Sequence, residues 1–148
     1  MGPLTELESR AAEDTVAVGL RIGRRCGRGA VIALEGPLGA GKTTLVKGLA
    51  RALAVEEPIT SPTFTLISQY RGLFEGRPVD LFHVDLYRLA HELELEDLGL
   101  EELMGGEGIT VIEWGEKASS LLPGDAVRVR IDLAPDGTRR IRVEGLAI

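Results

Sequence analysis

Between an apolar run, Ala30-Val31-Ile32-Ala33-Leu34, and a stripe of Leu45, Val46, Leu49 and Leu53 stands the segment Gly36-Pro37-Leu38-Gly39-Ala40-Gly41-Lys42-Thr43. No other feature of the chain restricts its fold as tightly. A short run that is apolar throughout fits a strand buried on both faces, as in a parallel sheet, and this one reads as the central strand. The stripe has helical spacing with Lys47 and Arg51 turned away from it, which predicts a helix from Gly41 to about Leu53. Strand, glycine loop and helix in that order, with G-x-x-x-x-G-K-T filled at every fixed position, make the layout that cradles phosphate. Glycines permit backbone angles and close approach that a Cβ blocks, so successive N–H groups can converge on phosphate oxygens. The positive end of the helix dipole opens onto the same cavity. In this reading Lys42 reaches the β- and γ-phosphates and the Thr43 hydroxyl takes one place on an octahedral Mg²⁺, while Thr44 continues the first helical turn.

The remaining segments fill out an α/β chain. Glu13 to Arg25, acidic first and basic last around Val16, Leu20 and Ile22, predicts a helix whose charges suit its dipole. Pro58 and Pro62 keep the following stretch extended. Phe64–Tyr70 and Val79–Val84 have strand composition, and the Gly72–Gly76 loop between them predicts an antiparallel hairpin. His91 to Met104 carries Leu93, Leu95, Leu98, Leu100 and Leu103 among acids, which reads as a helix with a solvated acidic face. Ile109–Ile112 is a second buried strand. Near the end Val127, Val129 and Ile131 alternate with Arg128, Arg130 and Asp132, and Ile141 and Val143 with Arg140 and Arg142, across an Asp136-Gly137 turn. A terminal hairpin with one wet face follows.

A length of 148 residues, with 44% hydrophobic and 27% charged residues, suits one core and not two. The expected fold is therefore a single P-loop NTPase-like domain over residues 1–148, with a mixed parallel and antiparallel central sheet flanked by helices. The net charge of −6 gives no general attraction to nucleic acid, so any link to RNA should run through another protein. A lone Cys26 cannot form an internal disulfide, which fits a reducing, cytoplasmic setting. Met1–Arg10 lacks an apolar core after a basic start, and no apolar stretch approaches membrane-spanning length, so no membrane association is expected.

Phosphoryl chemistry also needs a carboxylate for the metal's water shell and a group that orients the nucleophile. Two acids end apolar strands: Asp85 closes Leu81-Phe82-His83-Val84, and Glu113 closes Ile109-Thr110-Val111-Ile112. Either can emerge at the sheet edge beside the phosphates; either can instead cap its strand or pair with an arginine such as Arg88. Thr60-Ser61-Pro62-Thr63 is placed to fold over a γ-phosphate, although an ordinary turn explains it equally well. His83 shares a strand face with Asp85 and is given no catalytic role, since a lone histidine in a strand is usually structural. Trp114 fits a core edge, and its place beside Glu113 fits a site position as well.

Taken together these residues resemble the TsaE (YjeE) family, the bacterial ATPases of tRNA threonylcarbamoyladenosine biosynthesis. The likeness spans nearly the whole chain and is carried by Leu34-Glu35-Gly36 through Thr44, Ser61-Pro62-Thr63-Phe64-Thr65-Leu66, His83-Val84-Asp85-Leu86-Tyr87-Arg88-Leu89 and Ile112-Glu113-Trp114-Gly115-Glu116. The resemblance implies a mixed-sheet P-loop protein that binds ATP, with Lys42 on phosphate and Thr43, Asp85 and Glu113 around Mg²⁺ and its waters. It implies a nucleotide-sensing role for the Ser61-Pro62-Thr63 loop, and nucleotide contacts from near Thr15 and from a late arginine, Arg139 or Arg140. As partners it implies TsaB- and TsaD-type proteins, which attach threonylcarbamoyl to adenosine 37 of tRNAs reading codons that begin with A. Two positions depart from the family pattern: Pro37 replaces an acid and removes one backbone donor, and Gly115 stands where proline is common.

Two other classes share a phosphate loop. A small-molecule kinase usually closes an arginine-bearing lid, whereas the corresponding segment here, Glu92 to Glu107, is strongly acidic and would repel a γ-phosphate. A nucleotide-sensing regulator without hydrolysis would act only through the different affinities of its ATP and ADP forms for partners. All three readings depend on the loop lysine. Lys42→Ala is expected to abolish nucleotide binding detectable by calorimetry, and retention of wild-type affinity would contradict the assignment of the loop.

Overall fold

In the computed structural model, which describes residues 2–62, 66–91 and 94–148, the apolar run becomes the middle strand of a sheet. Along the chain the elements are β1 (Leu4–Ser9), α1 (Ala12–Arg25), β2 (Val31–Glu35), α2 (Lys42–Ala52), β3 (Ile67–Phe74) and β4 (Arg77–Asp85). They continue with two short helices, α3 (Glu94–Asp97) and α4 (Leu100–Met104), then β5 (Ile109–Glu113), a 3₁₀ turn at Gly115–Ala118, β6 (Val127–Leu133) and β7 (Arg139–Glu144). Among the described residues the sheet has seven strands in the order β1-β7-β6-β2-β5-β4-β3. Its interior strands β6, β2, β5 and β4 run parallel, and antiparallel partners finish both edges. The sheet is mixed, as the sequence predicts.

Alternation along β2 sends Ile32 and Leu34 to one face and Val31 to the other. On the first face α1 and α2 bury Ile22, Leu45, Leu49 and Leu53 against Ile32, Leu34, Leu81 and Ile109. On the second, Leu95 and Leu100 of the short helices and Ala118 of the 3₁₀ turn cover Val31, Val84 and Ile112. The second face of β6 and β7 stays wet, with Arg128, Arg130, Arg140 and Arg142 exposed while Val127, Val129, Ile131, Ile141 and Val143 are buried. No helix among the described residues is long and apolar enough to cross a membrane.

One strand stands where no element is expected, and two expectations are corrected. Leu4–Ser9, which carries no strong strand signal, is a strand paired with β7; its inward positions are Thr5, Leu7 and Ser9, too polar to stand out as a core strand. Gly72 is not in the hairpin loop. It lies inside β3 opposite Val79, where an added Cβ would collide with the Leu53 carbonyl, and the turn is the pair Glu75-Gly76 with φ of 50° and 77°. Phe64 and Thr65, the expected start of that strand, fall outside the described residues. Finally, the single helix expected from His91 to Met104 is interrupted by Gly99 at φ 69°. Leu95 and Leu100 are both buried yet would stand about 140° apart on a continuous helix, so a left-handed break brings them to one side.

The helix layer depends on close approach. Gly19 of α1 faces the Leu45 carbonyl, and Gly48 of α2 faces the Val16 carbonyl, with no room for a Cβ at either point. Alanine at Gly48 would gain about 1 kcal/mol of helix propensity in an open helix. Here overpacking against backbone outweighs that gain, and Gly48→Ala is expected to lower stability by roughly 1–3 kcal/mol in denaturant unfolding. A stabilised variant would refute this account of the α1–α2 contact.

Candidate functional site

The parallel strands β2, β4 and β5 end at one edge of the sheet, where the loop after β2 enters α2. Gly36, Gly39 and Gly41 hold φ of 147°, 79° and 110°, conformations that exclude ordinary side chains. Gly36 also lies directly against the Ile131 carbonyl, so the loop is seated on β6. Gly41 precedes α2 without a side-chain cap, and the first amides of that helix have no carbonyl one turn earlier to bind. They open toward the loop. Lys42 is buried; its Nζ donates to the carbonyls of Gly36 at 2.5 Å and Pro37 at 3.0 Å and lies 4.0 Å from the centre of the Trp114 ring. Burial lowers the Lys42 pKa, opposed by the nearby charges of Glu113, Glu116 and Asp85. Pro37 contributes no N–H, yet its carbonyl also accepts the Ala40 N–H at 3.1 Å and so closes the loop.

The two strand-end acids are side by side, because β4 and β5 pair in parallel with Asp85 opposite Glu113. Glu113 is buried and accepts from the Thr43 hydroxyl on both oxygens, at 3.0 and 2.9 Å. His83 Nε2 lies 2.6 Å from Glu113 Oε2. The Thr43 oxygen is also 3.1 Å from the Ser61 hydroxyl, which brings the loop after α2 to the same point. Asp85 is half-buried and accepts the Tyr87 N–H at 3.0 Å. Burial raises its pKa, the Tyr87 bond opposes that rise, and the neighbouring Glu113 charge adds to it. A hydroxyl and two carboxylates converging on one cleft form a hard-oxygen donor set, which fits Mg²⁺ better than a softer ion.

The cleft has a volume of about 290 Å³ and is lined by Leu38, Gly39, Gly41, Lys42, Thr43, Thr44, Ser61, Asp85, Glu113, Trp114 and Arg139 among the residues singled out from sequence, with Tyr87 besides. Gly36 and Ala40 stand behind it: the Gly36 carbonyl receives Lys42, and the Ala40 carbonyl receives Arg139 Nε at 2.7 Å. Of the two candidate arginines, Arg139 therefore faces the loop, while Arg140 lines a groove on the wet sheet face beside Glu6, Glu8 and Asp132. That groove is larger, about 490 Å³, but its lining charges are mixed and no donor set converges in it. Thr15 is buried near Gly41, its methyl toward the loop and its hydroxyl 2.6 Å from the Ser9 hydroxyl. Thr63 lies outside the described residues.

Trp114 adopts φ 60°, a left-handed conformation for a bulky residue, and its ring meets Tyr87 at 5.2 Å between centres. Lys117 ties the two segments together by donating to the carbonyls of Tyr87 at 2.9 Å and Leu89 at 3.2 Å. At Gly115 an added Cβ would meet Ala33 Cβ at 2.7 Å, so glycine lets the Glu113-Trp114 corner sit directly on β2. Sequence reasoning passed over Tyr87 and gave His83 no part in the site. The two-residue spacing of His83 and Asp85 was the available signal for the histidine; its partner on another strand was not visible.

A glycine loop between a central parallel strand and a helix, with lysine and threonine at its mouth and two carboxylates from neighbouring strand ends, defines a P-loop α/β protein. Comparison with known proteins narrows this. The family model described as "Threonylcarbamoyl adenosine biosynthesis protein TsaE" matches residues 9–141, and the chain belongs to the TsaE family. The tRNA threonylcarbamoyladenosine biosynthesis protein TsaE of Treponema pallidum is 45% identical over 135 residues, covering 91% of this chain and 96% of that protein. The protein of the same name from Bacillus subtilis is 40% identical over 129 residues, covering 87% and 78%. The crystal structure of Bacillus subtilis YdiB matches with a TM-score of 0.78 at 32% identity, covering 99% of this chain and 88% of that one.

The raised pKa of Asp85 means that ionising it costs folding stability. Its contribution is fully present below the ordinary carboxylate range and is lost as pH rises through the raised value. Asp85→Asn, which keeps an acceptor for the Tyr87 N–H, is thus expected to melt at or above the wild-type temperature at pH 7. The difference should close as pH falls into the acid range, and a lower melting temperature at pH 7 that persists there would oppose this reading.

Proposed function

We propose that this chain binds ATP with Mg²⁺ and hydrolyses it, slowly alone and faster with partner proteins, in support of threonylcarbamoyladenosine formation on tRNA. One observation carries the reading: the Thr43 hydroxyl at the mouth of the loop reaches Glu113 directly, with Asp85 paired beside it and Lys42 on the adjoining loop carbonyls. One hydroxyl, two carboxylates and an ammonium stand where a triphosphate cradled by the amides of residues 38–44 would end.

In this reading Lys42 exchanges the Gly36 and Pro37 carbonyls for phosphate oxygens, and Arg139 adds positive charge at the loop's flank. Thr43, Asp85 and Glu113 would hold Mg²⁺ and its waters, and the ion would supply positive charge that offsets the charge of the phosphate chain. Glu113, buried and fixed by two hydrogen-bond donors, is the better placed acid to accept a proton from an attacking water. Trp114 and Tyr87 form an aromatic wall that limits water on that side. Both relatives described above carry the name of tRNA threonylcarbamoyladenosine biosynthesis, which supports the pathway. The net charge of −6 supports reaching tRNA through other proteins, which in this reading are of the TsaB and TsaD types and act with this chain in the cytoplasm.

A kinase reading gains nothing from the geometry. Leu95 and Leu100 tie the acidic segment into the core on the second sheet face, and none of its described residues lines the cleft.

Phosphate release, measured with and without the two partner proteins, tests the proposal. Glu113→Ala is expected to hold Mg-ATP within severalfold of wild type while losing about 100-fold or more in turnover. Equal loss of binding and turnover would remove the division of roles, and no phosphate release under any combination would favour a regulator that only senses nucleotide.

A further inference from the structure

His83 is fully buried in β4, on the strand face it shares with Asp85, and its Nε2 lies 2.6 Å from Glu113 Oε2. A carboxylate oxygen only accepts, so Nε2 carries the proton and donates it. Nδ1 is buried and has no hydrogen-bond partner among the described residues. With the proton on Nε2, what stays unpaired is a lone pair and not an N–H, which is the less costly arrangement. The geometry around Glu113 therefore selects one tautomer and one ring orientation.

The other donor on Glu113 is the Thr43 hydroxyl, whose single proton is shared between the two carboxylate oxygens. That hydroxyl has a second task in the function proposed above, on which this inference rests: its oxygen is to serve the metal. Once it turns to that task, His83 is the protein side chain still fixing the carboxylate among the contacts seen here. A buried carboxylate with no fixed donor would rotate toward water, and displacement of a reacting group by about 1 Å is enough to lose much of its effect.

We propose that His83 is a positioning residue, holding Oε2 of Glu113 so that Oε1 stays directed into the cleft. Its effect on chemistry passes wholly through Glu113. Residues that orient a metal-linked carboxylate in this way typically contribute about 10–100-fold in metal affinity or activity. A merely structural histidine would instead alter stability, binding and turnover together.

The test uses the full chain with its two partner proteins. His83→Leu is expected to keep Mg-ATP affinity within about threefold in calorimetry while turnover falls about 10–100-fold. His83→Gln, whose amide nitrogen can stand close to the Nε2 position, should recover most of that loss. On a Glu113→Gln background His83→Leu should cost nothing further, because the two act as a unit. If His83→Leu does not fold, His83→Asn, whose amide is too short to reach Oε2, takes its place. Without nucleotide, nitrogen-resolved NMR of the histidines should show His83 protonated at Nε2, with that proton shifted in Glu113→Ala. Turnover of His83→Leu within about twofold of wild type, additive losses in the double variant, parallel losses of affinity and turnover, or an Nδ1-protonated ring would each overturn the inference. Unchanged turnover in Glu113→Gln would instead overturn the role of Glu113, and the inference with it.

Discussion

Parallel pairing of β2, β5 and β4 is the constraint on which the rest of the structure depends. Strands that run the same way end at the same edge, so the loop after Glu35, the carboxylate of Glu113 and that of Asp85 are delivered to one place by main-chain hydrogen bonding. The register is specific. Asp85 stands opposite Glu113, and a one-residue slip would turn one acid into the core and an apolar neighbour toward the cleft. Burial of both sheet faces enforces that register, since Val84 and Ile112 occupy the second core while Leu81, Ile109 and Val111 occupy the first.

The site assembled at that edge is costly to the folded state. Lys42 and Asp85 are both pushed by burial away from their charged forms, and Trp114 is held in a left-handed conformation that a bulky side chain disfavours. The protein offsets these costs locally. Loop carbonyls receive the Lys42 ammonium, the Tyr87 amide serves Asp85, and His83 and Thr43 serve Glu113. The charged groups of the cleft are in this way pre-organised by partners fixed in the fold.

Support from outside the cleft comes through backbone more than through side chains. Gly19 and Gly48 let α1 and α2 meet without intervening atoms, Gly36 seats the loop on the Ile131 carbonyl, and Gly115 seats the Glu113-Trp114 corner on Ala33. Each contact shortens the path between a core element and a residue of the site, leaving little slack for the loop or the carboxylates to drift.

The sequence by itself determined the strand, loop and helix around Gly36–Thr44, the two strand-end acids and the mixed character of the sheet, because each is written in local periodicity or in a contiguous motif. Only the tertiary structure decided the rest. It joined His83 to Glu113 across neighbouring strands, chose Arg139 over Arg140 for the loop, and turned the Thr15 hydroxyl toward Ser9. It made a strand of Leu4–Ser9, placed Gly72 inside β3 under the Leu53 carbonyl, and split the expected helix at Gly99. The physical reason is common to all of these: pairing partners and open space lie far away along the chain, and spacing within one segment carries no record of what another segment brings beside it.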